Sequence, residues 1–150
     1  MSVASKSRIA KELLKFQREA PSLGIDVRVI NDLTWNCIIK GVDGTLYAGE
    51  VFTLSIQFDE KYPYESPIVK FIPKAPVHPH IYTNGHICLD LLYDNWSPAV
   101  TVQAVALSIQ SMLSSNTTKI PPDGDAGYCR QYGPDSNPKK THFAYHDDKV

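Results

Sequence analysis

The sequence predicts an α+β fold in which a four-stranded antiparallel meander is flanked by helices. An amphipathic helical pattern opens the chain, four strand-like segments follow within residues 27–72, and a second apolar helical pattern comes after Pro98. Strands joined by short connections pair as antiparallel neighbours, and helices beside them bury one face of the sheet. With 150 residues, the chain is predicted to be one domain over residues 1–150.

The first element is an amphipathic helix predicted over residues 2–20. Ile9, Leu13 and Phe16 recur at helical spacing on one face, and Leu14 is expected to widen that apolar stripe. A proline and a glycine that follow residue 20 closely predict where the helix ends.

The next four elements are short strands. The third alternates most clearly, because Phe52, Leu54, Ile56 and Phe58 share one face while polar side chains occupy the other. This alternation predicts a sheet with one face on the core. Two prolines interrupt the chain before the last strand, since proline cannot donate to a ladder. The predicted strands cover residues 27–30, 34–40, 51–58 and 68–72.

A long irregular segment, two helices and a tail complete the chain. Residues 73–95 are mostly irregular, and a loop of that length inside a compact domain is usually functional. The apolar helical pattern after Pro98 predicts a buried helix with Thr101 as its N-cap. A short helix is predicted over residues 126–132, and residues 133–150 form a tail that we expect to be mobile.

The bulk composition argues against several classes of protein. A formal net charge of −1 gives no global attraction to nucleic acid or to an anionic membrane, so neither is expected as a partner. No stretch approaches the ~20 apolar residues of a membrane span. The three cysteines are far apart and odd in number, which favours a reducing compartment over a secreted disulfide framework. We therefore expect a location in the cytoplasm or the nucleus.

Cys88 is the residue around which the candidate site is organised. Asn84-Gly85 is a strong turn signal, so Cys88 is expected to emerge from a tight turn. The histidines near it do not have a specific zinc-ligand spacing, and no metal site is predicted. Two alternatives remain open: a cysteine hydrolase with His86 as its base, and a binding module in which Cys88 is a small buried hydrophobe.

Acyl transfer through a thioester is a further chemistry that Cys88 permits. A thiolate accepts an acyl group from another thioester at little cost in free energy and then passes it to an amine. Such a site needs an exposed thiol, a hydrogen-bond donor for the oxyanion and an ordered loop for the acyl chain. His80 and Asn84 supply polar side chains, and Trp96-Ser97-Pro98 is expected to fix the far wall.

Six motifs recur in a recognisable order along the chain. They are Arg8-Ile9-Ala10-Lys11-Glu12-Leu13, Gly44-Thr45-Leu46-Tyr47-Ala48-Gly49, Tyr62-Pro63-Tyr64-Glu65-Ser66-Pro67, His78-Pro79-His80-Ile81-Tyr82, Asn84-Gly85-His86-Ile87-Cys88-Leu89-Asp90 and Trp96-Ser97-Pro98-Ala99. In order and spacing they resemble the motifs of ubiquitin-conjugating enzymes over nearly the whole chain. The resemblance implies the fold of that family and a single catalytic domain.

The resemblance also assigns roles to individual side chains. Cys88 is implied to carry ubiquitin as a thioester. The further catalytic residues are His78, His80 and Asn84. The residues that order the loop or contact the substrate are Asp90, Trp96, Ser97 and Asp123. The residues that bind a ligase are Arg8, Lys11, Tyr64, Pro98 and Ala99, with Tyr64 in place of the usual phenylalanine.

The partners implied by the resemblance are ubiquitin, a ubiquitin-activating enzyme and RING or U-box ligases. ATP and magnesium are used by the activating enzyme, and this chain has no Gly-rich loop that would cradle a phosphate. No cofactor is therefore expected here.

The chain departs from the family pattern at two positions, one in the oxyanion loop and one that concerns the acceptor amine. Most members have His-Pro-Asn where this chain has His78-Pro79-His80, and His80 is able to donate a hydrogen bond in place of the asparagine. A gap-free count from Cys88 puts the usual acidic position near Ile120, and the nearest acid is Asp123.

These departures resemble the W-type subfamily, which transfers ubiquitin to protein N-termini. The Pro121-Pro122-Asp123 segment and the tail motif Tyr145-His146-Asp147-Asp148 share the resemblance. It implies protein substrates with flexible N-termini. An ordinary lysine-directed conjugating enzyme is the alternative.

Overall fold

The computed structural model describes residues 1–141 and shows the α+β fold that the sequence predicts. Four antiparallel strands lie in the order β1-β2-β3-β4, so each pairs with the next along the chain and the predicted meander is confirmed. The strands are β1 (Ile25–Asn31), β2 (Thr34–Lys40), β3 (Val51–Gln57) and β4 (Ile68–Phe71). The helices are α1 (Val3–Glu19), α2 (Val102–Ser114) and α3 (Asp125–Gln131), with 3-10 turns at Ala20–Leu23, Asp90–Leu92 and Pro138–Lys140.

The ends of the two long helices follow from local chemistry. After α1 the chain passes through Pro21 and turns at Gly24, whose φ of 74° is left-handed backbone that glycine adopts without a steric penalty. At the start of α2, the Thr101 hydroxyl accepts a hydrogen bond from Ala104 N at 3.1 Å, which confirms the predicted N-cap. No helix within residues 1–141 is both long and apolar enough to cross a membrane.

One hydrophobic core joins the sheet to α1 and α2. Ile9 and Phe16 from α1 are buried together with Ile109 and Leu113 from α2 and with side chains from all four strands. Leu14 is 66% exposed, so the predicted widening of the apolar stripe is wrong. At about 100° per residue, Leu14 lies about 140° around the helix from Ile9 and therefore faces solvent.

The segment that follows β4 runs along the edge of the sheet and places Cys88. Phe71 N donates a hydrogen bond to Gly85 O at 2.9 Å, and His86 pairs with Lys70 in an isolated bridge. The chain therefore adds to the sheet beside β4 just before it reaches Cys88.

The predicted mobile tail needs a correction at its start. Ser136 O lies 3.1 Å from His86 Nε2, and Lys139 Nζ donates to Ser66 O at 2.8 Å. Ser136 and Lys139, within the tail that the sequence predicted to be mobile, are therefore hydrogen-bonded to the rest of the domain. Residues 142–150, with the Tyr145-His146-Asp147-Asp148 motif, lie outside the described residues.

Candidate active site

The Cys88 thiol is the centre of the candidate site, and it is more buried than expected. Its backbone N–H donates to His80 O at 2.8 Å, and the residue is only 6% exposed. The expectation of an exposed thiol is therefore wrong, because the chain packs beside β4 with Ile87 fully buried. Burial, with a smaller contribution from the Asp90 carboxylate, raises the pKa of the Cys88 thiol to about 11.

This weakly acidic thiol affects both halves of a transfer reaction. With a pKa of about 11, about one Cys88 thiol in ten thousand is ionised at pH 7. Cys88 is therefore a slow nucleophile in the chain that does not yet carry ubiquitin. A thiol of high pKa is also a poor leaving group. Because the Cys88 thiolate is a poor leaving group, a thioester on Cys88 reacts slowly with solvent nucleophiles until an acceptor is positioned beside it.

Asn84 orders the turn that precedes Cys88. Its side-chain oxygen accepts from His86 N at 2.9 Å, and its side-chain nitrogen donates to Tyr132 O at 2.8 Å. The residue is 3% exposed. These contacts differ from the expected role as an oxyanion donor, because both polar ends of the amide are engaged with backbone atoms.

His78 fixes the start of the loop against α2. Its Nδ1 accepts a hydrogen bond from His80 N at 2.9 Å, and its Nε2 lies 3.2 Å from Met112 O. The bond at Nδ1 places the ring proton on Nε2, which donates to that carbonyl. Burial lowers the pKa of His78 to about 4, so the ring is neutral at pH 7. The structure therefore gives His78 a positioning role rather than an acid–base role.

His80 is the second polar side chain to which the sequence assigned the oxyanion role. It is half-buried, and its ring centre lies 5.6 Å from that of His78. Its backbone carbonyl holds Cys88 N–H, which keeps the two residues adjacent across the loop. Donation to an oxyanion by His80 stays a prediction.

His86 is not placed to serve as the base of a cysteine hydrolase. It is fully buried, its Nδ1 lies 2.7 Å from Tyr128 Oη, and its Nε2 lies 3.1 Å from Ser136 O. A general base must reach the proton that it removes, and both ring nitrogens are committed elsewhere. Within residues 1–141 no three histidine, cysteine or acidic side chains are grouped as metal ligands.

The wall beyond Cys88 is held by side chains that the resemblance singled out. Trp96 Nε1 donates to Pro63 O at 2.9 Å, and the Asp90 carboxylate accepts from Asn95 Nδ2 at 2.7 Å. Ser97 is exposed at the surface of the same segment. Trp96 and Asp90 are therefore engaged in contacts within the loop, and their role in ordering it for catalysis stays a prediction.

The acidic residue that contacts the catalytic loop is Asp125 rather than Asp123. Asp123 is exposed, whereas the Asp125 carboxylate accepts from Thr83 N at 2.8 Å and from Thr83 Oγ1 at 2.9 Å. Sequence reasoning missed Asp125. The signal that would have found it is its position directly before the short helix predicted over residues 126–132. Ile120, near which the gap-free count from Cys88 puts the usual acidic position, is 50% exposed.

The predicted ligase-binding residues are exposed, with one exception. Tyr64 is 79% exposed, and Lys11, Pro98 and Ala99 are exposed as well. Arg8 is instead partly buried, since its guanidinium is committed to contacts within the chain. Its Nε pairs with Glu12 Oε2 at 2.9 Å, and its Nη2 donates to Val100 O at 3.0 Å.

Glu12, which sequence reasoning did not single out, makes hydrogen bonds to the same region of the chain. Glu12 Oε1 accepts from Val102 N at 2.9 Å, while Glu12 Oε2 accepts from both Arg8 and the Tyr62 hydroxyl. Glu12 and Arg8 therefore tie α1 to the loops that carry Tyr64 and Ala99.

Known proteins resemble this chain over its full length. The family model for "Ubiquitin-conjugating enzyme" matches residues 8–144. A Caenorhabditis elegans protein named ubiquitin-conjugating enzyme E2 W is 49% identical over 100% of both chains. A probable ubiquitin-conjugating enzyme E2 W of Dictyostelium discoideum is 46% identical over 95% of each. The crystal structure of ubiquitin conjugating enzyme E2 UbcA1 from Agrocybe aegerita superposes with a TM-score of 0.85 at 41% identity, over 93% of this chain and 100% of that one.

Proposed function

Because this chain belongs to the ubiquitin-conjugating enzyme family, we propose that it transfers ubiquitin to the α-amino group of substrate N-termini. Members of the family are transferases that hold ubiquitin as a cysteine thioester, and their partners are ubiquitin, an activating enzyme and ligases. We assign the thioester of this chain to Cys88. The main observation in favour of the α-amine is Ile120, because lysine-directed members of the family have an acidic residue near this position.

Two acyl transfers at Cys88 make up the proposed reaction. In the first, the Cys88 sulfur attacks the ubiquitin thioester of the activating enzyme, and that enzyme's thiolate leaves. In the second, a neutral amine attacks the Cys88 thioester, the C–S bond breaks with Cys88 leaving as a thiolate, and an amide forms. The proton that the amine loses balances the one that the Cys88 thiolate takes up to become a thiol. His80 donates to the oxyanion in both steps. ATP and magnesium are consumed by the activating enzyme, and we propose that this chain binds neither.

The acid–base properties of the two amines support the α-amine. A lysine amine has a reference pKa of about 10.4, and a backbone α-amine has one of about 7.7–8.0. At pH 7 roughly one lysine in 2,500 is neutral, against roughly one α-amine in ten. This difference in the neutral fraction favours the α-amine by about 3 kcal/mol. The neutral α-amine is intrinsically the weaker nucleophile, which reduces that advantage in part.

The deprotonation of a lysine acceptor depends on whether a carboxylate is available beside the thioester. At the position where lysine-directed members carry an acid, this chain has the apolar and exposed Ile120. The neighbouring Lys119 is paired with Glu50 at 2.6 Å, and Asp125 is occupied by Thr83. A site without an acid that is free to take the proton favours an amine that is already neutral. The resemblance to the W-type subfamily supports the same acceptor.

We expect the ubiquitin-charged chain to discharge faster onto a lysine-free peptide with a free, unstructured N-terminus than onto free lysine. N-acetylation of the peptide should abolish the product, because it removes the only amine. Discharge is followed at pH 7 on non-reducing gels at equal amine concentrations. Faster discharge onto lysine, or product with the acetylated peptide, would place the chain among lysine-directed enzymes.

An acid installed at position 120 should shift this preference. Ile120→Asp is expected to accelerate discharge onto free lysine on the order of tenfold, below the usual range for a positioned general base, because the new carboxylate has no supporting contacts. Ile120→Asn is the matched control, since asparagine is polar and has a volume similar to that of aspartate but cannot act as a base. Equal rates for the two variants would remove Ile120 from the explanation.

We also propose that Lys11, Tyr64, Pro98 and Ala99 form the surface that meets a RING or U-box ligase. Exposed apolar side chains that cluster in adjacent loops mark contact sites. Tyr64→Ala and Ala99→Asp should each weaken ligase-stimulated discharge by about 30-fold, the effect of an interface hot spot, and leave unstimulated discharge unchanged. Leu46→Ala, an exposed apolar change elsewhere, is the control. Unchanged stimulation in both variants would show that the ligase binds another face.

The cysteines support a proposed location in the cytoplasm or the nucleus. Cys37, Cys88 and Cys129 are all free thiols, as a reducing compartment maintains them. Fractionation of cells that express the tagged chain tests this location, and recovery in the secretory pathway would contradict it.

A further inference from the structure

We propose that Tyr128 of α3 is a positioning residue that clamps the turn at residues 82–86 and thereby holds Cys88 in its buried position. Tyr128 comes 40 residues after Cys88 in the sequence and has no place in the chemistry assigned above. The inference rests on the proposed function only in naming Cys88 as the thioester cysteine.

Tyr128 contacts the turn on both of its arms. Its ring stacks on that of Tyr82, with 3.8 Å between the ring centres and 19° between the planes. Its hydroxyl lies 2.7 Å from His86 Nδ1. Tyr82 enters the turn and His86 leaves it, so a single side chain spans both arms. The hydroxyl also lies 2.8 Å from Thr141 Oγ1, which secures Tyr128 itself.

The residues between those two arms are held by neighbours of Tyr128. The Asp125 carboxylate receives two hydrogen bonds from Thr83, and Tyr132 O receives one from the Asn84 side chain. Every side chain of the turn is therefore bound to α3 or to the residue that ends it, apart from Gly85, which has none.

The position of the turn determines the position of the thiol. Only Ile87 separates His86 from Cys88, and Tyr82 N donates to His86 O at 2.9 Å to close the turn. A turn that moved away from α3 would carry Cys88 out of its 6% exposed position. The ring stack alone serves packing, whereas the hydrogen bond between the hydroxyl and His86 Nδ1 is specific to the clamp.

Cysteine alkylation of the uncharged chain tests the clamp without ubiquitin or a partner enzyme. We expect Tyr128→Phe, which keeps the ring and removes the hydroxyl, to raise the rate at which iodoacetamide modifies Cys88 by roughly three- to tenfold, the effect of one lost hydrogen bond. Mass spectrometry assigns the modification to each cysteine. Cys37 is an internal control, because it is fully buried in β2 and reacts only if the sheet opens.

Matched variants separate the clamp from a general loss of stability. Tyr132→Phe removes a hydroxyl whose contact is with Gln131 at the surface, and it should leave the Cys88 rate unchanged. Asp125→Asn should act in the same direction as Tyr128→Phe, with the exposed Asp135→Asn as its control. Unchanged Cys88 rates in both test variants would overturn the proposal. A parallel rise at Cys37 would overturn it as well, because Tyr128 would then support the whole fold.

Transfer kinetics give an independent measure of positioning. In the charged chain, Tyr128→Phe should lower the saturated rate of discharge onto the peptide roughly three- to tenfold and leave the peptide KM unchanged. A raised KM at an unchanged saturated rate would make Tyr128 a substrate contact and contradict the clamp. Because the alkylation test needs no acceptor, a failure of the clamp is distinguishable from a failure of the α-amine proposal.

Discussion

Cys88→Ser is expected to lose all reducible ubiquitin adduct, whereas Cys129→Ser should charge as the parent chain does. A serine oxygen forms an ester that thiols do not reverse, so no thioester remains. Cys129 is the informative control, because it is half-buried whereas Cys88 is buried. Accessibility alone would therefore favour Cys129 as the nucleophile. Our assignment rests instead on the turn, on the His80 carbonyl that holds Cys88 N–H, and on the motif around Cys88.

The measurement is a charging assay with activating enzyme, ubiquitin, ATP and magnesium. Products are compared on gels with and without reductant. The same assay run without ATP tests the hydrolase alternative, because a hydrolase would cleave a ubiquitin conjugate under those conditions. A reducible band of ubiquitin size that survives Cys88→Ser and disappears in Cys129→Ser would move the thioester to α3.

Gly85→Ala is expected to destabilise the chain by about 3–4 kcal/mol, the range of a strained backbone combined with a steric clash. A Cβ on Gly85 would stand 2.0 Å from Phe71 O, and the φ of 100° disfavours any L side chain. The backbone has to shift, and the bond from Phe71 N to Gly85 O is lost in doing so. The join between β4 and the Cys88 loop therefore opens.

Gly124→Ala is the matched control for this prediction. Gly124 also has a positive φ, of 75°, but within residues 1–141 no heavy atom beyond its two chain neighbours lies within 4 Å of the Cβ that would be added. Its cost should be limited to left-handed strain, about 1–2 kcal/mol. Urea unfolding of the three chains gives both differences. Equal losses in the two variants would show that conformational strain, and not the contact with Phe71, makes glycine necessary at position 85.

Local patterns in the sequence were enough to predict the elements of this fold. The alternation of Phe52, Leu54 and Ile56 identified β3, and Thr101 marked the start of α2, because these features depend on neighbours in the chain. The order of the four strands followed from their short connections. Leu14 is the exception, since it follows Leu13 in the sequence but lies about 140° around the helix from Ile9, outside the buried face.

The site was less predictable because its contacts join distant parts of the chain. Cys88 was recognised from its turn and its motif, but its burial depends on how the loop packs beside β4. Asn84 was expected to face the reaction and instead bonds to Tyr132 O, 48 residues away. The contacts of Tyr128 and Asp125 with the same turn span 42 residues each. No local periodicity reports contacts over such distances.

The most direct measurement offers one acceptor that carries both amines. A flexible peptide with a free N-terminus and a single internal lysine is incubated with the Cys88-charged chain at pH 7, and tandem mass spectrometry locates the ubiquitin remnant. We expect attachment at the α-amine, with loss of product when the N-terminus is acetylated. Attachment at the lysine, maintained after acetylation, would contradict it.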